Sequence, residues 1–253
     1  MTIGVPSLIF TSLMQTEIDG TALFDTIWAT CAAYLSVTLA FFVVVKVAGL
    51  DRQTYLAPMI FGNTGNLGLP LAMFAFGEAG FGYAVVVFAL MGIYSFTFGI
   101  WLVSGGGSPL KVLKEPMVGA TLLGGLFMMQ GWQTPMWLTN TLELIGQMAI
   151  PLMLITLGVA VARLTPTNVA RAVVLSLVKF LICAGLALAA GLVFQLSHVA
   201  LAILILQVST PVAVTSYLLA EKYGADAGEV AGLVVVSTVL SVVTIPITLA
   251  FLI

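Results

Sequence analysis

Long apolar stretches, separated by short polar or Gly- and Pro-containing segments, run through almost the whole sequence. Most are close to the roughly 20 residues that an α-helix needs to cross the ~30 Å hydrocarbon core of a bilayer. The expected fold is therefore an all-α integral membrane protein. The pattern predicts about nine transmembrane helices, near residues 1–14, 24–48, 55–76, 80–103, 117–131, 137–160, 168–193, 198–220 and 227–252.

The composition agrees with a membrane protein. Apolar residues make up 61% of the 253 residues and charged residues 7%, against roughly 45–50% and about 25% in soluble domains. The mean hydropathy is +1.18, so a water-soluble fold could not bury the apolar surface. The eight Lys and Arg residues are scattered singly, and the lack of a basic cluster argues against nucleic-acid binding.

Charge divides cleanly between the two alternating sets of connecting segments. One set holds only the acidic residues Glu17, Asp19 and Glu78 and no Lys or Arg. Because short cytoplasmic loops are enriched in Lys and Arg, we expect the other set to be cytoplasmic in a multi-pass protein of the cell (inner or plasma) membrane. The basic residues of that set are Lys46, Arg52, Lys111, Lys114, Arg163, Arg171 and Lys222.

Polar, small and helix-breaking residues interrupt two of the predicted spans, 55–76 and 198–220. Proline removes a backbone donor and clashes with the preceding turn, while glycine adds conformational freedom. We therefore expect both helices to be broken near the bilayer midplane, where unwound backbone is tolerated only if it lines a cavity or is buried in protein. The residues of the two clusters are Asn63, Thr64, Gly65, Asn66, Pro70, Gln207, Ser209, Thr210 and Pro211.

The two interrupted spans lie five spans apart, so they cross the membrane in opposite directions, which is typical of an inverted repeat. We predict two five-helix units, the first over residues 1–103 and the second over residues 117–253, joined by a cytoplasmic linker at 104–116. Four spans precede the second unit, so the first helix of the first unit is expected to be missing.

The broken helices are the candidate binding site. We predict that a short helix restarts after Pro70 and after Pro211, with each proline in the first turn, where its missing N–H is tolerated. The free N–H groups and positive dipole ends of the two restarts would converge at mid-membrane and bind an anion. With the nearby amides and hydroxyls, a carboxylate could be held without arginine. Oxygen atoms of Asn63, Gln207 and Ser209 could instead bind sodium, a hard cation.

Three polar residues elsewhere in the spans are further candidates. Lys179 lies eight residues after Arg171, so it either snorkels to the cytoplasmic interface or has a role in substrate charge or proton coupling. Glu143 is interpreted as an interfacial glutamate, with a coupling role as the alternative. Gln147, one turn further along, either lines a cavity or makes a helix-to-helix hydrogen bond. The Met and Phe residues are interpreted as packing or lipid contacts.

Other functions find no support in the sequence. There is no HExxH motif, no pair of intramembrane aspartates and no serine–histidine pairing, so we do not expect an enzyme. No GK[ST] phosphate-binding loop indicates ATP-driven pumping. Cys31 and Cys183 lie in apolar segments without CxxC spacing, so we expect neither a metal site nor a cofactor. Coupling to H+ or to Na+ stays open.

Three motifs resemble those of a known family. The most specific is Gly62-Asn63-Thr64-Gly65-Asn66-Leu67-Gly68-Leu69-Pro70. The second combines Ser209-Thr210-Pro211-Val212-Ala213 with Ala220-Glu221-Lys222-Tyr223-Gly224, followed by a helix that contains Ser237, Thr238, Ser241 and Pro246. The third, Gly4-Val5-Pro6-Ser7-Leu8-Ile9-Phe10, is similar to the family's second helix. Over essentially the whole chain the sequence resembles the auxin efflux carrier family, the PIN-like membrane transporters.

This resemblance implies ten helices in two inverted five-helix units, with crossing broken helices akin to those of sodium/bile acid symporters. It also implies outward transport of small carboxylates such as malate, malonate or auxin-like acids, with substrate contacts at Asn63, Asn66, Pro70, Thr210 and Pro211. We therefore expect a secondary transporter of small organic anions that works by alternating access. The alternatives are a sodium-coupled symporter and a non-transporting sensor or inactive truncated carrier. Association as a homodimer stays open.

Overall fold

In the computed structural model, which describes residues 3–16, 18–104 and 116–252, the chain is almost wholly helical, and the described residues form no strand beyond one isolated β-bridge. This agrees with the predicted all-α fold. Glu17, Lys111, Lys114 and most of the predicted linker 104–116 lie outside the described residues. The first helices are α1 (Gly4–Met14), α2 (Gly20–Val47), α3 (Arg52–Ile60), α4 (Leu69–Tyr94) and α5 (Ile100–Ser104). The others are α6 (Pro116–Gln130), α7 (Met136–Arg163), α8 (Val169–Val193), α9 (His198–Val208), α10 (Val214–Tyr223) and α11 (Ala227–Leu252).

Several of these helices have the dimensions of membrane spans. In the described part of the chain, five helical runs are long and apolar enough to cross a bilayer, namely Gly20–Val47, Thr64–Ser104, Met136–Arg163, Val169–Val193 and Ala227–Leu252. Three further apolar helices, Gly4–Met14, Val118–Gln130 and His198–Val208, are shorter. The chain therefore has the architecture of a multi-pass membrane protein, while the count of nine spans and the inverted repeat stay predictions.

The longest run, Thr64–Ser104, contains a kink at Gly77. The φ of Gly77 is 62° and its ψ is −157°, a combination that is essentially restricted to glycine. A Cβ added to Gly77 would meet no atom within 4 Å, so backbone conformation and not crowding requires glycine here. The break falls between the predicted spans 55–76 and 80–103, which agrees with their separation.

Two π-helical segments, Thr64–Gly68 and Ser95–Gly99, flank α4. Pro70 follows the first segment by two residues. In a regular α-helix its ring would clash with the carbonyl of Asn66, four residues earlier, and could not donate a hydrogen bond to it. A widened turn immediately before a proline relieves this conflict. The first π-helical segment is thus explained by Pro70.

The helices pack into two groups. The three-helix group consists of α1, α6 and α7, with α1 packed against both of the others. Small residues bring these backbones together, because a Cβ added to Gly146 would lie 3.1 Å from Leu8 Cα and one added to Gly124 would lie 3.2 Å from Phe10 Cα. Close approach at small residues is a common way to pack helices in a bilayer.

The crossing group consists of α2, α3, α4 and α8 to α11, in which α8 packs against α2, α9 and α11, and α4 packs against α9. A polar cluster ties three of its helices together at one end. The Tyr55 hydroxyl on α3 donates to Glu229 Oε2 on α11 at 2.6 Å, and Arg171 Nη1 on α8 donates to the Tyr55 hydroxyl at 3.1 Å. Arg171 Nη1 also lies 3.6 Å from Glu229 Oε1. Arg171, one of the basic residues predicted to be cytoplasmic, thus lies at this end of the group.

Candidate functional site at a helix crossing

Both predicted helix interruptions are present. The first lies between α3, which ends at Ile60, and the π-helical segment that begins at Thr64. The second lies between α9, which ends at Val208, and α10, which begins at Val214. Each interruption leaves a few residues of unwound backbone inside the helix group.

The two unwound segments pair with each other. The Asn63 N–H donates to the Pro211 carbonyl at 2.7 Å, and the Ala213 N–H donates to the Phe61 carbonyl at 3.3 Å. Gly62 and Val212 form an isolated antiparallel β-bridge between these bonds. Backbone groups that leave a helix need new partners when they are buried, and each broken helix supplies them to the other. The antiparallel pairing supports opposite directions for the two helices at the crossing.

Two glycines allow the segments to approach this closely. A Cβ on Gly62 would overlap Thr210 Oγ1 and lie 3.1 Å from the Thr210 carbonyl oxygen. A Cβ on Gly68 would overlap the carboxamide oxygen of Gln207. Gly62 and Gly68 therefore set the distance between the broken helices, a role that the sequence motif did not reveal.

The prolines do not act in the same way at the two restarts. Pro70 is the second residue of α4, as expected for a first-turn proline, but the helix has already resumed at Thr64. Pro211 lies three residues before α10 begins, so the prediction of a first-turn proline is wrong there. Its carbonyl accepts the Asn63 N–H in the β-bridge region, and a residue with fixed φ and no N–H suits that extended stretch, where only the carbonyl is used.

A cavity of about 240 Å³ opens beside the crossing. It lies between the two helix groups, with α1, α6 and α7 on one side and the crossing on the other. It extends from the crossing to Pro116 at the start of α6, where the linker predicted to be cytoplasmic ends. Its lining residues are Val5, Pro6, Phe61, Gly62, Asn63, Gly65, Asn66, Phe88, Met91, Gly92, Ser95, Phe96, Pro116, Met153, Ala213 and Thr215.

The cavity wall is mostly apolar and aromatic. Phe61, Phe88, Met91 and Met153 are buried in the apolar core, which agrees with the interpretation of Met and Phe as packing residues, and together with Phe96 they also line the cavity. Only tertiary packing brings these distant residues together, so no local signal could have identified the set. No charged residue lines the cavity within the described part of the chain.

Gly92 marks the wall of the cavity. It is buried, yet a Cβ added to it would meet no atom within 4 Å. A buried glycine whose added Cβ would meet no atom must face an internal cavity. Gly92 also borders a smaller space of about 10 Å³ next to the cavity, so a large side chain at this position would occupy the space between the two helix groups.

The polar groups of the cavity come from two helix starts. Gly65 and Asn66 belong to the π-helical segment, and Ala213 and Thr215 lie at the start of α10, which has no side-chain cap. Asn63 also lines the cavity; it is 5% exposed and its Nδ2 has no hydrogen-bond partner among the described residues. First-turn N–H groups and the positive helix end favour negative charge. The cavity thus combines an apolar body with a small polar end suited to an anion.

The remaining predicted substrate residues do not line this cavity. Thr64, Pro70 and Gln207 are buried within the crossing, and the Thr64 hydroxyl and both carboxamide atoms of Gln207 have no described hydrogen-bond partner. Ser209, Thr210 and Pro211 line a small crevice of about 10 Å³ instead. The three proposed sodium ligands are therefore not gathered around one space, because Asn63 lines the cavity, Ser209 the crevice and Gln207 neither.

Lys179 reaches the crossing and does not snorkel. Its side chain is 2% exposed, and Nζ donates to the Met59 carbonyl at 3.0 Å. Met59 lies in the last turn of α3, directly before the first interruption. Of the two interpretations of Lys179, the structure contradicts the interfacial one.

Glu143 and Gln147 lie away from the crossing. Glu143 near the start of α7 is partly exposed and accepts a hydrogen bond from Gln15 Nε2. Gln147 is exposed on α7 and lines neither the cavity nor the crevice. Neither side chain contributes to the space around the broken helices.

Comparison with known proteins identifies the family of this chain. A family model described as "Membrane transport protein" matches residues 104–249. The chain is also similar to a protein of Methanothermobacter thermautotrophicus that carries the name "Uncharacterized transporter". The two are 29% identical over 258 residues, which cover 96% of this chain and 84% of the relative.

Proposed function

Because the chain belongs to the membrane transport protein family, we propose that this membrane transporter is a secondary carrier of small organic anions that works by alternating access around the helix crossing. The observation that carries the proposal is the cavity between the two helix groups, with two helix starts at its polar end. A site at the junction of two packed groups can be exposed to either side when one group moves against the other.

The size and lining of the cavity favour a small carboxylate with an apolar body. Its volume of about 240 Å³ is below the roughly 300–1,000 Å³ typical of pockets for drug-sized ligands. Phe61, Phe88 and Phe96 would enclose an apolar or aromatic body, while the carboxylate would meet Asn63 and Asn66. An aromatic monocarboxylate such as phenylacetate fits this arrangement better than a dicarboxylate, whose second carboxylate would lie in the apolar part of the cavity.

Orientation and direction follow from the charge pattern. The cavity extends toward the end that carries Arg171 and Lys222, which the distribution of Lys and Arg predicts to be cytoplasmic. A carrier with its site open on that side would load its substrate from the cytoplasm. We therefore propose efflux across the cell membrane, and the antiparallel crossing supports the inverted repeat on which this mechanism depends.

Transport by purified protein tests the proposal. We expect proteoliposomes to exchange labelled phenylacetate faster than protein-free liposomes. Gly92→Leu should lower exchange at least about tenfold, because its side chain enters the cavity and fills space needed by the substrate. The matched control is Gly185→Leu, since Gly185 is also helical with open space around it but is exposed on α8. Equal exchange by both variants would contradict the proposed site.

A sodium-coupled symporter is the second candidate. The observation in its favour is Gln207, whose buried carboxamide oxygen has no described hydrogen-bond partner and could bind a hard cation. Replacing sodium by choline on both sides of the membrane should abolish exchange if this candidate is correct. Exchange that continues at the same rate in choline would favour a carrier without sodium coupling.

A further inference from the structure

Lys179 brings a cationic side chain into the middle of the helix crossing. Nζ donates to the Met59 carbonyl at 3.0 Å, in the last turn of α3, where the negative end of the helix dipole favours a cation. An ammonium has three donors, and this carbonyl satisfies one of them. Burying a charged side chain inside a membrane protein costs free energy, so a charge in this position indicates a function.

The crevice around Lys179 is polar but contains no described carboxylate. At about 10 Å³ it is close to the space that one water molecule occupies. Two further titratable side chains are buried on the elements around Lys179, namely Cys183, one turn further along α8, and Tyr34 on α2, which packs against α8. From α3 the partner is the Met59 carbonyl. The hydroxyl residues of the crevice, from α8, the end of α9 and α11, are Ser176, Ser209, Thr210, Ser237, Ser241 and Thr244.

The cavity and the crevice both border the backbone crossing and share no lining residue. Phe61 and Ala213 line the cavity, whereas Thr210 and Pro211, from the same unwound segments, line the crevice beside Lys179. No described basic residue lines the cavity. Because two charges interact much more strongly inside a protein than in water, an anion in the cavity would be stabilised by an ammonium behind the crossing.

Resting on the proposed carrier function, we propose that Lys179 is the coupling residue: its ammonium is the internal counter-charge of the bound anion, and its proton leaves when the anion leaves. An opposite charge nearby favours the charged amine, and burial without one disfavours it. When the cavity empties, a Nζ–H bond breaks, the proton passes to water in the crevice and a neutral amine remains. Before the next anion binds, the amine lone pair takes a proton from hydronium, which becomes water again and restores the ammonium.

Hydroxyl side chains offer the proton a route to the crevice. Ser237, Ser241 and Thr244 line it from one face of α11, at spacings of four and three residues. Thr248 continues this face toward the end of α11 at Leu252, opposite to the end where the cavity opens.

Binding at two pH values tests the inference without a transport assay. Anion and proton binding to the same site are reciprocal, so the protonated carrier should bind the anion more tightly and affinity should rise as pH falls. We expect the Kd of phenylacetate, measured by thermal stabilisation of the purified protein in sodium-free buffer, to be at least about tenfold lower at pH 6 than at pH 9. A carboxylate with a pKa near 4 stays ionised over this range.

Two substitutions separate coupling from a structural role. Lys179→Arg keeps a permanent positive charge, so it should bind phenylacetate with the same affinity at both pH values and support exchange but not net uptake. Lys179→Met removes the charge and should weaken binding about 10- to 100-fold at pH 6, as expected for a lost interaction with a charged group. Lys46, which is exposed at the end of α2, supplies the controls Lys46→Arg and Lys46→Met, which should behave like the wild type.

The wild-type protein alone can overturn the inference. Stabilisation by phenylacetate that is equal at pH 6 and pH 9, or that requires sodium, would contradict proton coupling through Lys179 and leave the carrier function intact. Absence of both stabilisation and exchange with phenylacetate and with malonate would instead remove the proposed function, and this inference with it. These outcomes do not depend on whether a Lys179 variant folds.

Discussion

The two broken helices perform the same backbone task with different side chains. In the first, the unwound stretch is short and the helix resumes through a π-helical segment, so Asn63 and Asn66 face the cavity. In the second, the unwound stretch is longer and Ser209 and Thr210 face the crevice. Backbone pairing at the crossing is shared equally, but the polar side chains of the two interruptions line different spaces, and of the second helix only the α10 start, with Thr215, also reaches the cavity. The first interruption therefore supplies the amide side chains of the cavity, and the second supplies hydroxyl groups to the crevice beside Lys179.

The largest effect should come from a change that separates the two helices. Gly62→Val would push a branched side chain into Thr210 on the opposite segment, and overpacking of this kind typically costs about 1–3 kcal/mol. We expect a lower yield of folded protein, a lower unfolding temperature and no measurable phenylacetate exchange. Gly185→Val, at an exposed position with open space, should change neither the unfolding temperature nor exchange.

Removing a cavity amide should have the next largest effect. Asn66→Ala takes away a hydrogen-bond donor to the carboxylate, and bonds to charged groups are worth about 1.5–3 kcal/mol, or roughly 10- to 100-fold in affinity. The Kd of phenylacetate should rise by that factor. Ser209→Ala on the second helix removes a hydroxyl that donates to the Ile205 carbonyl at 2.6 Å and should change the Kd less than about threefold, because the carboxylate does not reach it. A similar rise in Kd for Asn66→Ala and Ser209→Ala would contradict the different roles of the two broken helices.

A smaller effect is expected at the π-helical segment. Pro70→Ala restores an N–H that can donate to the Asn66 carbonyl, so the widened turn before it is no longer required. We expect exchange to fall by less than about tenfold with little loss of folded protein, because the cavity residues shift without being removed. Pro211→Ala lies outside any helix and should affect exchange less. A larger loss for Pro211→Ala would show that the second segment, and not the first, positions the anion.

Local sequence signals predicted the helices and their interruptions because those features depend on nearby residues. The Gly- and Pro-containing clusters around Asn63 and Pro211 identified both breaks, and the short polar segment at Gly77 separated two spans. The restart at Thr64 was missed, since the π-helical turn arises from the clash that Pro70 would otherwise cause. Helix breaking can therefore be predicted from sequence more readily than the residue at which a helix resumes.

Side-chain partners across the crossing could not be predicted in the same way. Gln207 and Asn63 belong to equivalent clusters, yet one packs against Gly68 and the other lines the cavity. The partner of Lys179 is a backbone carbonyl 120 residues away in sequence, and carbonyls carry no sequence signal. The aromatic wall is likewise assembled from distant parts of the chain, with Phe61 in the first break, Phe88 in α4 and Phe96 in the second π-helical segment. These features depend on packing between distant segments.

Protection of a cavity position by substrate tests the central claim most directly. Thr215→Cys, in a protein that also carries Cys31→Ser and Cys183→Ala, places one thiol in the cavity at the start of α10. Asn140→Cys in the same background places a thiol at an exposed position on α7. We predict that saturating phenylacetate slows maleimide labelling at position 215 at least about fivefold, since an occupied cavity excludes the reagent, and leaves labelling at position 140 unchanged. Unchanged labelling at position 215 in proteoliposomes that exchange phenylacetate would contradict a binding site at the helix crossing.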